Sequence, residues 1–128
     1  MLKRFIDEKI NAKTLSPLAL AFVGDCVYEM FVREKLVCVE NCPANKLHKK
    51  SVEKVCCQAQ AVVAEKILSI LTEDELAIFK RGRNAHTNNI PKNATCEEYH
   101  KATGLEALVG YLYLTGETSR LQQIFSVI

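Results

Sequence analysis

Two carboxylates stand alone on otherwise apolar stretches of this chain. Between Leu15 and Met30 the only charged residues are Asp25 and Glu29, and between Gly104 and Leu114 the only one is Glu106. An acid in such a setting is costly to bury unless it is hydrogen-bonded, paired or bound to a cation. Two hard-oxygen donors projected from packed helices suit Mg²⁺, which takes one or two carboxylates, keeps several waters, and can polarise a phosphoryl oxygen or generate a hydroxide nucleophile. The same patterning also admits two structural acids, each half-buried and satisfied by a hydrogen bond or a basic neighbour. Glu29, one turn after Asp25, is read as pointing outward where the helix becomes amphipathic.

The net charge of +2 hides a segregation of charge. Lys46, His48, Lys49 and Lys50 form one basic cluster, and Lys80-Arg81-Gly82-Arg83-Asn84 with Lys92 forms a second. The first is either a solvated helical face or a phosphate-contacting one. The second is more pointed, because basic side chains beside a glycine can bring both charge and backbone donors to a phosphate. His86 and His100 are expected at the surface, and Tyr111 and Tyr113 are expected to pack.

The elements that must carry these residues are helical. At 128 residues, with 48% hydrophobic and 25% charged residues, the chain is expected to form a single all-α domain spanning 1–128. Ser16-Pro17 is an N-cap followed by a proline suited to the first helical turn, and the helix is expected to run to about Leu36. It places Leu18, Ala21, Phe22, Asp25, Glu29 and Val32 along one stripe. Gly24 costs about 1 kcal/mol of helix propensity, which points to the close approach of another backbone. A second helix is expected from Pro43 to about Leu71, basic in its first half and small and apolar in its second. Thr72 with Glu75 and Thr95 with Glu98 have capping-box spacing, opening helices to about Arg81 and about Thr115. Between them, residues 82–94 form a polar loop interrupted by Gly82 and Pro91. Gly116 ends the helix opened at Thr95, and a short amphipathic helix with Leu121, Ile124 and Phe125 on its apolar face follows.

The six cysteines are expected to be reduced and to serve as small core or surface residues, since no secretory signal precedes them and their spacing gives no zinc framework. No segment approaches the roughly 20 uncharged residues of a membrane span, so a cytoplasmic location is expected.

Four separated blocks carry a resemblance. Leu18-Ala19-Leu20-Ala21-Phe22-Val23-Gly24-Asp25-Cys26-Val27-Tyr28-Glu29, Asn45-Lys46-Leu47-His48-Lys49-Lys50, Lys80-Arg81-Gly82-Arg83-Asn84-Ala85 and Leu105-Glu106-Ala107-Leu108-Val109-Gly110-Tyr111-Leu112-Tyr113-Leu114 occur in this order. Together they resemble the Mini-III group, the short bacterial members of the ribonuclease III family. The resemblance implies an all-helical endonuclease domain that acts as a homodimer. It implies Mg²⁺-dependent cleavage of double-stranded RNA, with Mn²⁺ able to substitute, leaving 5′-phosphate and 3′-hydroxyl ends. The implied substrate is the 23S ribosomal RNA precursor. Asp25 and Glu106 match the metal-binding catalytic acids.

This chain departs from the longer ribonuclease III pattern at Leu18, Ala21 and Thr103, where that pattern has further acids. Fewer protein ligands imply more metal-bound water and weaker metal retention without RNA. No double-stranded RNA-binding domain is expected beside the catalytic one, so the grip on RNA is assigned to Lys46, His48, Lys49 and Lys50 of the second helix and to Arg81, Arg83, Asn84 and Lys92 of the following loop. The readings of another class are a catalytically silent RNA-binding or ribosome-assembly module and a helical domain whose partner is a protein.

Overall fold

A computed structural model describes residues 4–85 and 90–128. Its order is a 3₁₀ turn at Ala12–Thr14, then α1 (Pro17–Val39), α2 (Ala44–Val55), α3 (Cys57–Ile67), a 3₁₀ turn at Leu68–Ile70, α4 (Glu73–Arg83), α5 (Cys96–Leu114) and α6 (Thr118–Phe125). No strand occurs among the described residues, so the all-α expectation holds.

The caps sit where the sequence places them. Ser16 Oγ accepts from the Ala19 amide, and Pro17 occupies the first turn of α1. Both capping boxes form: Thr72 and Glu75 exchange hydrogen bonds of 2.9 and 3.2 Å, and Thr95 and Glu98 bonds of 2.9 and 3.1 Å. At the other end of α5, Gly116 adopts φ +77°, while the Glu117 amide reaches back to Leu112 and the Gly116 amide to Tyr113. This left-handed stop satisfies two of the last carbonyls.

The expected long second helix is instead two. Cys56 has an extended backbone, φ −64° and ψ 155°, and closes α2 while opening α3. Cys56 and Cys57 therefore mark a corner rather than two faces of one helix. None of the six cysteines is fully buried, and all are free thiols, so the core expectation for some of them is corrected.

The centre of the fold is α5. Residues from Ala102 to Tyr113 are buried on nearly every side, consistent with their being apolar all round. Helix α1 lies along it most extensively, α3 and α4 flank it, and α6 closes one end. Tyr28, Val32, Ile67, Phe79, Leu105, Leu108 and Ile124 belong to the main core. Phe31 of α1 stacks on Phe125 of α6 with centroids 4.1 Å apart. Among the described residues no helix is long and apolar enough to cross a membrane.

Candidate active site

The site arises where α1 crosses α5. A Cβ built on Gly24 would stand 1.7 Å from the Glu106 carbonyl oxygen, and one on Gly110 would stand 2.0 Å from the Leu20 carbonyl oxygen. Two backbones this close exclude any larger residue at either position. Asp25 follows Gly24, and Glu106 lies one turn before Gly110, so both carboxylates emerge at the rim of the crossing. The two carboxyls are close enough for Asp25 to raise the Glu106 carboxyl.

Asp25 is exposed and Glu106 is partly buried. The Glu106 carboxyl is pushed up to about 9, first by burial and then by its hydrogen bond to Asp25 and the charge there, while the Gln60 amide acts in the opposite direction. Two touching carboxylates do not both ionise comfortably; they share a proton or take up a cation. Among the described residues, no third His, Cys, Asp or Glu joins them in a metal-binding group. The Thr103 hydroxyl is turned into its own helix, donating to the Tyr99 carbonyl at 3.0 Å, and Ala21 is buried against the core. A pair of hard oxygens without further protein ligands fits Mg²⁺ with much of its water shell retained.

The expected stripe on α1 is corrected. Its buried face runs Leu20, Ala21, Gly24, Val27, Tyr28, Val32 and Leu36, which puts Asp25 at the border of that face. Leu18 and Phe22 are turned to solvent, with Phe22 80% exposed. The apolar character of α1 therefore covers two faces, only one of which is packed. Glu29 pairs with Arg33 at 3.2 Å, pointing outward as expected.

The basic residues divide. Gly82 lies inside α4 and is buried, and a Cβ there would meet the Ala107 Cβ at 2.7 Å and the Gly104 Cα at 3.0 Å. It is a packing glycine, so the expectation that it offers loop amides to phosphate is corrected. Gly82 thus packs on the turn of α5 that bears Glu106, and Arg81 and Arg83 flank it along α4. The Arg81 guanidinium reaches the Leu15 carbonyl at 3.3 Å, and the Arg83 Nε donates to Asn84 Oδ1 at 3.3 Å. Lys92 is exposed, whereas His86 and the remainder of 86–89 lie outside the described residues. On α2, Lys46, His48 and Lys49 are exposed, and Lys50 pairs with Glu40.

Gln60 was not singled out in the sequence, because a neutral amide in a run of small residues gives little signal. It is only 2% exposed, donates to the Val55 carbonyl at 3.0 Å, and its amide works against the burial that raises the Glu106 carboxyl. His100 keeps one buried ring nitrogen, Nδ1, and is only partly exposed, unlike the surface histidine expected.

Residues 18–117 of the chain match the ribonuclease III domain family. The Mini-ribonuclease 3 of a Thermoanaerobacter species is 47% identical over 93% of this chain and 84% of its own. The Mini-ribonuclease 3 of Clostridium tetani is 41% identical over 100% of this chain and 87% of its own. A crystal structure of a Fusobacterium nucleatum protein, 30% identical, superposes with a TM-score of 0.83 over 93% of this chain and 95% of that one. The chain belongs to the Mini-ribonuclease 3 group of the ribonuclease III family and is an endoribonuclease, a hydrolase.

Proposed function

We propose that this protein is a Mg²⁺-dependent endoribonuclease that cuts double-stranded RNA to 5′-phosphate and 3′-hydroxyl ends. Its substrate is the 23S ribosomal RNA precursor, its place of action the cytoplasm, and its working form a homodimer. The observation that carries the reading is the contact between Asp25 and Glu106 at the Gly24–Gly110 crossing. Asp25 and Glu106 hold the cation, which when bound supplies charge stabilisation at a phosphoryl oxygen and an activated water. Arg81 and Arg83, on either side of the Gly82 that packs on the Glu106 turn, neutralise backbone phosphates, and Lys46, His48 and Lys49 extend the contact along the duplex. The exposed apolar face of α1, with Leu18, Phe22 and Met30, supports self-association.

The test is incubation of the purified protein with a long RNA duplex and Mg²⁺, beside Asp25→Asn and Glu106→Gln. Cleavage is expected from the wild type alone, with 5′-phosphate ends. Binding without cleavage across metals would overturn the reading in favour of a silent RNA-binding module. A stem formed by the ends of the 23S precursor, set against an unrelated duplex of equal length, tests the substrate.

A further inference from the structure

Residues 91–93 are exposed, yet their backbone is held from three sides. The Ala94 amide donates to the Pro91 carbonyl at 3.3 Å, closing a turn with Lys92 and Asn93 at its tip. Thr95 then leads straight into the capping box of α5. The third hold comes from another element: Gln58 Nε2, in the first turn of α3, donates to the Asn93 carbonyl, 35 residues away. The Cys57 thiol donates weakly to Gln58 Oε1 at 3.9 Å, which fixes the orientation of the amide. Gln58 stands just past the corner at Cys56, into which the basic helix α2 leads, and the Gln60 bond to the Val55 carbonyl braces the same corner. One side chain thus ties the turn that carries Lys92 to the end of the helix that carries Lys46, His48 and Lys49.

We propose that Gln58 is a positioning residue for the RNA grip: by pinning the Asn93 carbonyl to α3 it holds the Lys92 turn at a fixed place relative to α2, so that Lys92 and the cations of α2 meet the phosphates of one duplex together. This deepens the RNA contact of the proposed function and rests on it. An exposed hydrogen bond adds little to the stability of a fold, so loss of this one leaves the fold in place. What is lost is preorganisation, since a lysine on an unpinned turn must order backbone as well as side chain when it meets a phosphate. Phosphates carry no base identity, so the effect is the same on duplexes of any sequence. Gln58 itself touches neither the RNA nor the Asp25–Glu106 pair in this scheme.

The test is steady-state cleavage of a long RNA duplex at saturating Mg²⁺ and several salt concentrations, by the wild type, Gln58→Met, Lys92→Gln and the double variant. Methionine keeps the approximate shape of Gln58 and removes the donor. Gln58→Met is expected to raise KM about three- to tenfold with kcat unchanged. The salt dependence of KM should become shallower by about one phosphate contact. The double variant should match Lys92→Gln alone, because both changes remove the same contact. In the free protein, hydrogen exchange of the Ala94 amide should quicken in Gln58→Met. A wild-type KM and salt slope in Gln58→Met, effects that add in full to those of Lys92→Gln, or unchanged Ala94 exchange would each overturn the role of Gln58 and leave the RNA grip standing. A lower kcat and melting temperature with the salt slope intact would make Gln58 a structural residue and overturn it equally. Lys92→Gln without effect on KM or slope removes Lys92 from the RNA and the proposal with it, and absence of cleavage by the wild type overturns the proposed function on which both rest.

Discussion

Glu106 shows what the crossing of two backbones costs at the level of one residue. In the metal-free fold burial and Asp25 push its carboxyl up to about 9, whereas in the unfolded chain it loses its proton near the ordinary value of 4.5. Between these limits the folded state binds more protons than the unfolded one, so stability falls as pH rises through this window, by at most about 1.4 kcal/mol per pH unit. Glu106→Gln removes that slope. Its melting temperature should match the wild type near pH 5 and exceed it by several degrees at pH 8, and Mg²⁺ should raise the wild type toward the variant. Equal melting temperatures at both pH values would contradict the assignment of the shift to this group. Gly24→Ala tests the crossing directly. With the Glu106 carbonyl oxygen 1.7 Å from the new methyl, α1 must move off α5, a loss of about 3 kcal/mol or more, and cleavage should fall with it. Asp25 and Gly24 were both legible in the sequence, one as a lone acid and the other as a helical glycine. Gln60 was not, since nothing in its type marks a neutral amide as facing an acid that lies far along the chain.

At the scale of the elements, helix ends were easier to read than helix faces. Ser16, Thr72, Thr95 and Gly116 announce boundaries through their own chemistry, and each boundary is realised. Cys56 carries no such chemistry; the corner lies where α2, packed on α1, gives way to α3, packed on α5. The faces of α1 were illegible for a different reason: with apolar residues all round, periodicity cannot say which side is buried. Glu75 shows one cap residue doing two tasks. It closes the capping box of α4, and its carboxylate receives Nε and Nη2 of Arg120 on α6 at 2.8 and 2.9 Å. That guanidinium holds the Glu75 carboxyl below the usual carboxylate range. The resulting stability is fully present above that range and is lost as pH falls through the folded value. Arg120→Met should therefore melt lower at neutral pH, by about 2 kcal/mol given that Arg120 is partly exposed, and the two curves should converge on acidification. A gap independent of pH would mean that Arg120 acts through packing alone.

For the molecule as a whole, the unpacked face of α1 and the spread of basic side chains make the testable claims. Phe22, among the largest exposed apolar residues, should govern self-association: Phe22→Glu is expected to halve the solution mass while leaving helical content intact. A mass unchanged by that substitution would remove α1 from the interface. Cleavage of duplex RNA should weaken steeply with salt, and neutralising Lys46 and Lys49 together should flatten that dependence by about two phosphate contacts. An unchanged salt slope would place the duplex elsewhere. The all-α class and the single domain followed from composition and periodicity, but the meeting of Asp25 with Glu106 could not, because no local pattern links residues so far apart in the chain. That separation also governs assembly. The two acids belong to helices with most of the sequence between them, and no short segment holds a partial version of the site. If Asp25 and Glu106 form the proposed site, catalytic competence requires the docking of the first and fifth helices, a long-range contact. Along a denaturant series, loss of the Mg²⁺ response and deprotection of the α1 and α5 amides should share one midpoint.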